Sequence, residues 1–322
     1  MKYRKSCMAF AIVFAIGTVL SAYSQAESVI TTIPQPGDPN RVAVNLLTGL
    51  VYVADSGAGI VSVIDPRTNT VVNSIQVGID PVGVGVNPIT SRLYVSDIIQ
   101  NLVYVFDIHT NQIITSIPVG SGPADIAVNF RTNKIYVTEF GALTVGVIDG
   151  ATNTRTATIT GPVVPFDLAV NVVTNRLYIS DNSPFGAVAA VDLDTNQVVA
   201  EIRTAGQFTS GVAVDFVRDL VYAADESGTL NVIDGRTNQL VNTVTLQSDL
   251  SGVAVNPFTR RIYVSNFTLN EVNIVDGKAL RQVASLSVGA DPGELGIDPI
   301  RKRLYVAHFF PGIVTVINTE VH

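Results

Sequence analysis

The chain contains no tryptophan, and its single cysteine, Cys7, stands within the first ten residues. Lack of tryptophan argues against a site built on sugar stacking. Lack of any cysteine beyond Cys7 removes disulfides, thiolate metal sites, a cysteine nucleophile and haem attachment from the rest of the chain. Histidine is scarce too: His109, His308 and His322, the last being the final residue. A multi-histidine metal centre is therefore not expected. Charged residues make up only 15% and their balance is acidic, with a formal net charge of −7 that Lys2, Arg4 and Lys5 make less negative. A nucleic-acid partner is not expected, because phosphate binding needs a concentrated basic surface.

Long apolar runs are also missing. The longest, from Met8 to Leu20, is about 13 residues, short of the ~20 that span a bilayer. It follows Lys2, Arg4 and Lys5 and precedes Ser24, Gln25 and Ala26, the layout of a secretory signal over residues 1–26. Cys7 lies ahead of the apolar run, where it cannot serve as a lipoprotein cysteine. The expectation is an exported protein, periplasmic or at the cell surface, with no membrane-spanning segment after cleavage. Gly-rich phosphate loops, zinc-ligand spacings and the G-x-S-x-G elbow are all missing.

What the chain does have is a period. Tyr52, Tyr94, Tyr136, Tyr178, Tyr222, Tyr263 and Tyr305 recur at intervals of 42, 42, 42, 44, 41 and 42 residues. Each stands seven residues after an Asn or Asp, from Asn45 to Asp298, and is followed 12 to 14 residues later by another turn residue, from Asp65 to Asn318. Three landmarks in register through seven units define a repeat architecture, read as one domain over 27–322.

Within the second unit, four apolar runs rich in Val, Ile and Tyr are separated by turn residues: Gly83 to Val86, Arg92 to Ser96, Leu102 to Phe106 and Gln112 to Pro118. Their length suits strands. They are apolar on both faces, so each four-stranded antiparallel meander is covered on both sides. Seven such sheets stacked radially make an all-β, seven-bladed β-propeller. The segment Ser28 to Pro34 matches the fourth-strand segment Gln112 to Pro118, and the chain stops near Asn318, where a fourth strand is due. The N-terminal strand is thus expected to complete the last blade and close the ring.

The fragments YVAD, YVSD, YVTE, YISD, YAAD, YVSN and YVAH, each in a unit of this length with VID and TN turns, resemble the YVTN family of β-propeller repeats over about residues 29 to 318. The resemblance implies the fold. It leaves function open, because that family includes surface-layer and secreted binding proteins as well as subunits of periplasmic enzymes. The propellers that hold quinone cofactors carry tryptophan docking motifs, which this chain lacks.

Recurring polar residues read as scaffold. Asp65, Asp149 and Asp234 cap hairpins whose Asn69, Asn153 and Asn238 take φ > 0. The tyrosines are expected between sheets, their hydroxyls bonded to neighbouring backbone. Non-recurring residues gather on one face, formed by the loop after the second strand and the loop before the first. Three residues after each tyrosine stand Asp55, Asp97, Glu139, Asp181, Asp225, Asn266 and His308; near the start of each innermost strand stand Arg41, Gly83, Asp125, Asp167, Gly211, Gly252 and Glu294. Together they are expected to make the channel mouth acidic.

Candidate binding residues are Asp125, Asp167, Glu294, Glu139, Phe140, His308, Phe309 and Phe310, with Phe185, Phe267, Phe166 and Phe208 as further aromatics. Two function classes follow. One is a non-enzymatic binding or protein-interaction scaffold working through this acidic, Phe-bearing face, as a monomer or as a subunit of a larger envelope complex, with a protein or small ligand as partner and no cofactor. The other is a metal-assisted lactonase- or lyase-like enzyme, with Ca²⁺ or another divalent cation on Asp125, Asp167 and Glu294 and His308 as acid or base. A variant of the first is an accessory subunit of a periplasmic redox enzyme.

Overall fold

A computed structural model describes residues 27–161, 164–247 and 249–320; the expected signal segment, residues 1–26, lies outside the described residues. The described residues form 28 strands, arranged in seven four-stranded sheets, and among them there is no helix long and apolar enough to cross a membrane. The second blade is representative: β6 (Pro81–Asn87), β7 (Arg92–Asp97), β8 (Leu102–Asp107) and β9 (Gln112–Pro118), all antiparallel, in the order expected of a meander. The innermost strands β2 (Pro39–Val44), β6, β10 (Pro123–Asn129), β14 (Pro165–Asn171), β18 (Thr209–Asp215), β22 (Leu250–Asn256) and β26 (Pro292–Asp298) touch one another around a central channel.

Closure follows the sequence pattern. β1 (Ser28–Pro34) pairs antiparallel with β28 (Ile313–Asn318), setting Ser28 opposite Asn318 and Pro34 opposite Ile313. The seventh blade is therefore β26, β27 (Arg303–His308), β28 and β1. Pairing the two ends of the chain removes two open edges from the ring.

The hydrophobic core is divided into clusters between neighbouring blades. Tyr52 of the first blade packs with Val84 and Leu93 of the second, and Tyr305 of the seventh with Val51 and Ile64 of the first. All seven repeat tyrosines are essentially fully buried, each ring inserted into the blade that follows. Their hydroxyls depart from expectation. Tyr178 donates to the Gly235 carbonyl at 3.4 Å, but those of Tyr52, Tyr94 and Tyr305 have no protein partner among the described residues. A Cβ at Gly235 would come within 2.6 Å of the Tyr178 hydroxyl, so the Asp-Gly hairpin there leaves room for the tyrosine of the preceding blade.

The turns obey the Asx chemistry read from the repeats. Asp149 Oδ1 accepts from the amides of Ala151 and Thr152 at 2.8 and 3.1 Å, and Asn153 sits at φ 54°. We call the face bearing these hairpins and the turns between first and second strands the lower face, and the other the upper face.

Candidate binding site in the central channel

The third residue of each innermost strand points at the axis. Where that residue is glycine, the next strand comes too close for anything else: a Cβ on Gly83 would lie 1.9 Å from the Ala124 carbonyl oxygen and one on Gly211 2.2 Å from that of Ser251. In the other four blades the position holds Arg41, Asp125, Asp167 and Glu294.

These four meet. The Arg41 guanidinium reaches from the first blade to Asp125 Oδ1 of the third (Nε, 3.3 Å), Asp167 Oδ1 of the fourth (Nη1, 2.8 Å) and Glu294 Oε1 of the seventh (Nη1, 3.1 Å). The other carboxylate oxygens of the two aspartates face the scaffold. Asp125 Oδ2 accepts from Leu168 N at 2.9 Å and Asp167 Oδ2 from Val212 N at 2.8 Å, each joining its blade to the next. Thr138 and Ser180 hydroxyls accept from the Asp125 and Asp167 amides at 2.7 and 2.9 Å. Both aspartates are thus fixed from two sides.

One guanidinium among three carboxylates leaves the cluster short of positive charge. Burial pushes the Asp167 carboxyl well above its usual range, helped by Glu294 and Asp125 and opposed by Arg41. Burial likewise raises Glu294, with Arg41 working against the shift and Asp125 reinforcing it. For Arg41, burial alone would lower the pKa, but the three carboxylates outweigh it and hold the cation above its ordinary value. Arg41 also lies 5.8 Å from the Phe166 ring centroid, within cation–π range.

Above this cluster the upper face opens into a funnel of about 500 Å³. Its wall is apolar, with Phe140, Phe166, Phe267 and Phe309 from the third, fourth, sixth and seventh blades, beside Val82 and Ile98 of the second. Arg41 and Glu294 line both this funnel and the 160 Å³ polar channel segment beneath it. Of the three acids, Glu294 is the most open, its side chain 18% exposed against 9% and 7% for Asp125 and Asp167. The geometry offers an aromatic wall above a charged floor.

Several expected site residues lie elsewhere. The residues three after each tyrosine form no open acidic ring; all seven are buried, the five acids and Asn266 accepting from loop amides of the upper face and His308 bonding to a loop carbonyl. Asp97 takes the amides of Ile79, Ile99 and Gln100. Glu139 takes Gly120 N at 2.8 Å, Thr144 Oγ1 at 2.6 Å, and Arg155 Nε and Nη2 at 3.1 and 2.8 Å. It lines neither the funnel nor the channel.

His308 is fully buried. Its Nδ1 lies 2.7 Å from the Ala290 carbonyl and its Nε2 2.9 Å from the Thr315 hydroxyl, which assigns the Nδ1–H tautomer. Burial lowers its pKa. The ring is a neutral structural element and lines neither the funnel nor the channel segment. Phe310 is 75% exposed and stands outside the funnel, whereas Phe309, its neighbour at 6.2 Å between centroids, lines it.

The Arg41 guanidinium occupies the place among Asp125, Asp167 and Glu294 that the alternative enzyme reading gives to a divalent cation. Among the described residues, no group of three or more His, Cys, Asp and Glu is arranged to hold a metal ion. The acid set was legible because it breaks a recurring position; Arg41 stands at that same position, but its reach across the channel is not written in the sequence.

Fold and site together define a seven-bladed β-propeller with a charged channel below an aromatic funnel. No protein-family model matches the chain, and no curated protein matches its sequence. Among solved structures, a chain of Kuenenia stuttgartiensis hydrazine synthase is similar with a TM-score of 0.80, over 89% of this chain and 97% of that one, at 21% sequence identity. At that identity the likeness is one of fold.

Proposed function

We propose that the protein is an exported, non-enzymatic binding module, with the Phe-walled funnel of the upper face as its ligand site. The observation that carries this reading is the juxtaposition of Phe140, Phe166, Phe267 and Phe309 with a floor of Glu294 and Arg41. Aromatic walls supply the area from which affinity comes, and a few placed charges set orientation. Three acids against one guanidinium favour a cationic group at the floor. The ligand class is a small molecule or protein segment with an apolar body and a basic end.

The test is retention. Protein carrying Phe140→Ala, Phe267→Ala and Glu294→Gln is immobilised beside the unsubstituted protein, both are exposed to envelope extract of the source organism, and retained molecules are identified by mass spectrometry. Species held by the unsubstituted protein and lost from the variant support the funnel. Equal retention by both removes it as the site.

A further inference from the structure

The lower face carries a pattern that the funnel does not use. In each blade the turn between first and second strands presents two residues at its tip, just after the Asn or Asp. The first is apolar in every blade, from Leu46 to Pro299. The second is Leu47, Ile89, Val173, Val217, Phe258 or Ile300 in six blades and Arg131 in the third. Those six apolar side chains are between 54% and 65% exposed.

Turn chemistry does not require them. Asn87 Oδ1 accepts from the Ile89 amide at 3.0 Å, and Asn129 Oδ1 accepts from the Arg131 amide at 3.1 Å. The backbone is set identically under an apolar and a charged side chain, so apolar character at the tips is separate from folding.

The tips are also fixed to one another. Asn87 Nδ2 donates to Asn133 Oδ1 of the next blade, Asn129 to Asn175, and Asn171 to Asp219, at 2.6 to 2.8 Å. Arg218 reaches the Pro257 carbonyl at 2.7 Å and Arg301 the Leu47 carbonyl at 3.3 Å. Equivalent positions in a closed ring of similar blades lie in one plane, so the tips form a rigid, flat annulus. At its inner edge is a 250 Å³ depression lined by apolar residues, including Leu46, Phe216 and Pro257.

Charge divides along the same axis. Beyond residue 26, every lysine and arginine except Arg41, Arg155 and Arg203 lies in a lower-face turn or begins a strand that leaves that face. Eight of them are ion-paired with acids of the same face, as Arg92 is with Asp107 and Lys134 with Asp149, whereas Arg131, Arg260, Lys278 and Arg281 are exposed and outside these pairs. The upper-face loops hold Asp38, Asp80, Glu226, Asp249 and Asp291 and no lysine or arginine.

We infer that the lower face docks onto an anionic phospholipid surface, the six apolar tips entering between headgroups while Arg131, Arg260, Lys278 and Arg281 meet the phosphates. A flat annulus whose tips are apolar in six blades and basic in the third matches a bilayer interface, and the absence of lysine and arginine from the upper-face loops sets the orientation. The acidic upper face is held away from the lipid, with the funnel open to solvent. This inference is independent of what the funnel binds.

Residues 27–322, which contain every described strand, are sedimented with phosphatidylcholine vesicles with and without phosphatidylglycerol. Binding is expected with phosphatidylglycerol, much weaker without it, and reduced by salt. The triple variant Leu47→Ser, Ile89→Ser, Phe258→Ser is expected to lose about tenfold or more in affinity, while Phe140→Ala on the upper face binds as the unsubstituted protein does. Circular dichroism checks that the exposed substitutions leave the fold intact. The inference is overturned if anionic vesicles leave the protein in the supernatant or if the triple variant binds undiminished. It is equally overturned if ultracentrifugation shows self-association abolished by the triple variant with no vesicle binding, which would make the annulus an interface between copies.

Discussion

Arg41 Nη1 in the first blade lies 2.8 Å from Asp167 Oδ1 in the fourth, so one side chain spans the channel and ties opposite sides of the ring. Removing the cation leaves Asp125, Asp167 and Glu294 facing one another. Arg41→Met is expected to cost about 3–5 kcal/mol near neutral pH, the usual penalty for breaking a buried charge group. Asp167 and Glu294 already have raised pKa values in the folded protein. A carboxyl of this kind binds more protons folded than unfolded, so its contribution is favourable below the unfolded pKa and is lost as pH rises through the folded one. Without Arg41 both are raised further. The deficit of the variant should therefore widen from pH 5 to pH 8, measured by urea denaturation at each pH; a constant or shrinking deficit contradicts the arrangement.

Glu139 separates scaffold from site. Glu139→Ala removes the acceptor for Gly120 N, Thr144 and Arg155. With three groups losing a charged acceptor and the exposed Arg155 able to rehydrate, a loss of at least about 3 kcal/mol is expected. Retention by the funnel should be unaltered under conditions where the variant is folded. Thermal unfolding and the retention assay check both halves.

The tyrosine hydroxyls should differ from blade to blade. Tyr305→Phe, which removes a hydroxyl without a protein partner, is expected to change stability by under ~0.5 kcal/mol, whereas Tyr178→Phe should cost about 1 kcal/mol. Gly235→Ala, with its Cβ 2.6 Å from both the Tyr178 hydroxyl and Asp219 Oδ1, should cost about 1–3 kcal/mol. Part of that loss should return in the Tyr178→Phe background. A double-mutant cycle in guanidinium reads the coupling, and strict additivity would refute the contact.

Ring closure is testable at β1. Ile33 is buried at the junction of the seventh and first blades, and Ile33→Ala is expected to cost about 2–4 kcal/mol. Deleting residues 27–34 uncovers the edge of β28 and should produce concentration-dependent association by light scattering. A monomeric, undiminished deletion protein would mean that closure contributes nothing.

How much of this was legible in the sequence depended on whether a residue acts through its own register or through a distant partner. Tyr52 and its six equivalents carry the blade count because burial between sheets imposes one residue type at one spacing. Ser28 to Pro34 could be placed because it repeats the pattern of Gln112 to Pro118. Glu139 was misread as a site residue, since a carboxylate folded back onto loop amides and one facing solvent look alike in a sequence. His308 stood out as a departure from the repeat, yet it substitutes one loop-closing side chain for another. Phe166 and Phe267 were visible as aromatics, but their convergence with Phe140 and Phe309 needs the ring. The lower-face tips were hidden for the opposite reason: apolar residues beside a turn Asn draw no notice until their exposure is known.

The pairing of Ser28 with Asn318 also orders events in time. Six blades are built from consecutive strands and can be assembled as the chain lengthens, but the seventh needs the first strand made and the last three. That junction carries the largest loop-closure entropy in the molecule. Until it forms, β1 and β28 are unpaired edges at opposite ends of an open arc. The slowest step in maturation is therefore expected to be the meeting of the two termini, and an incomplete chain is a strand acceptor for its neighbours.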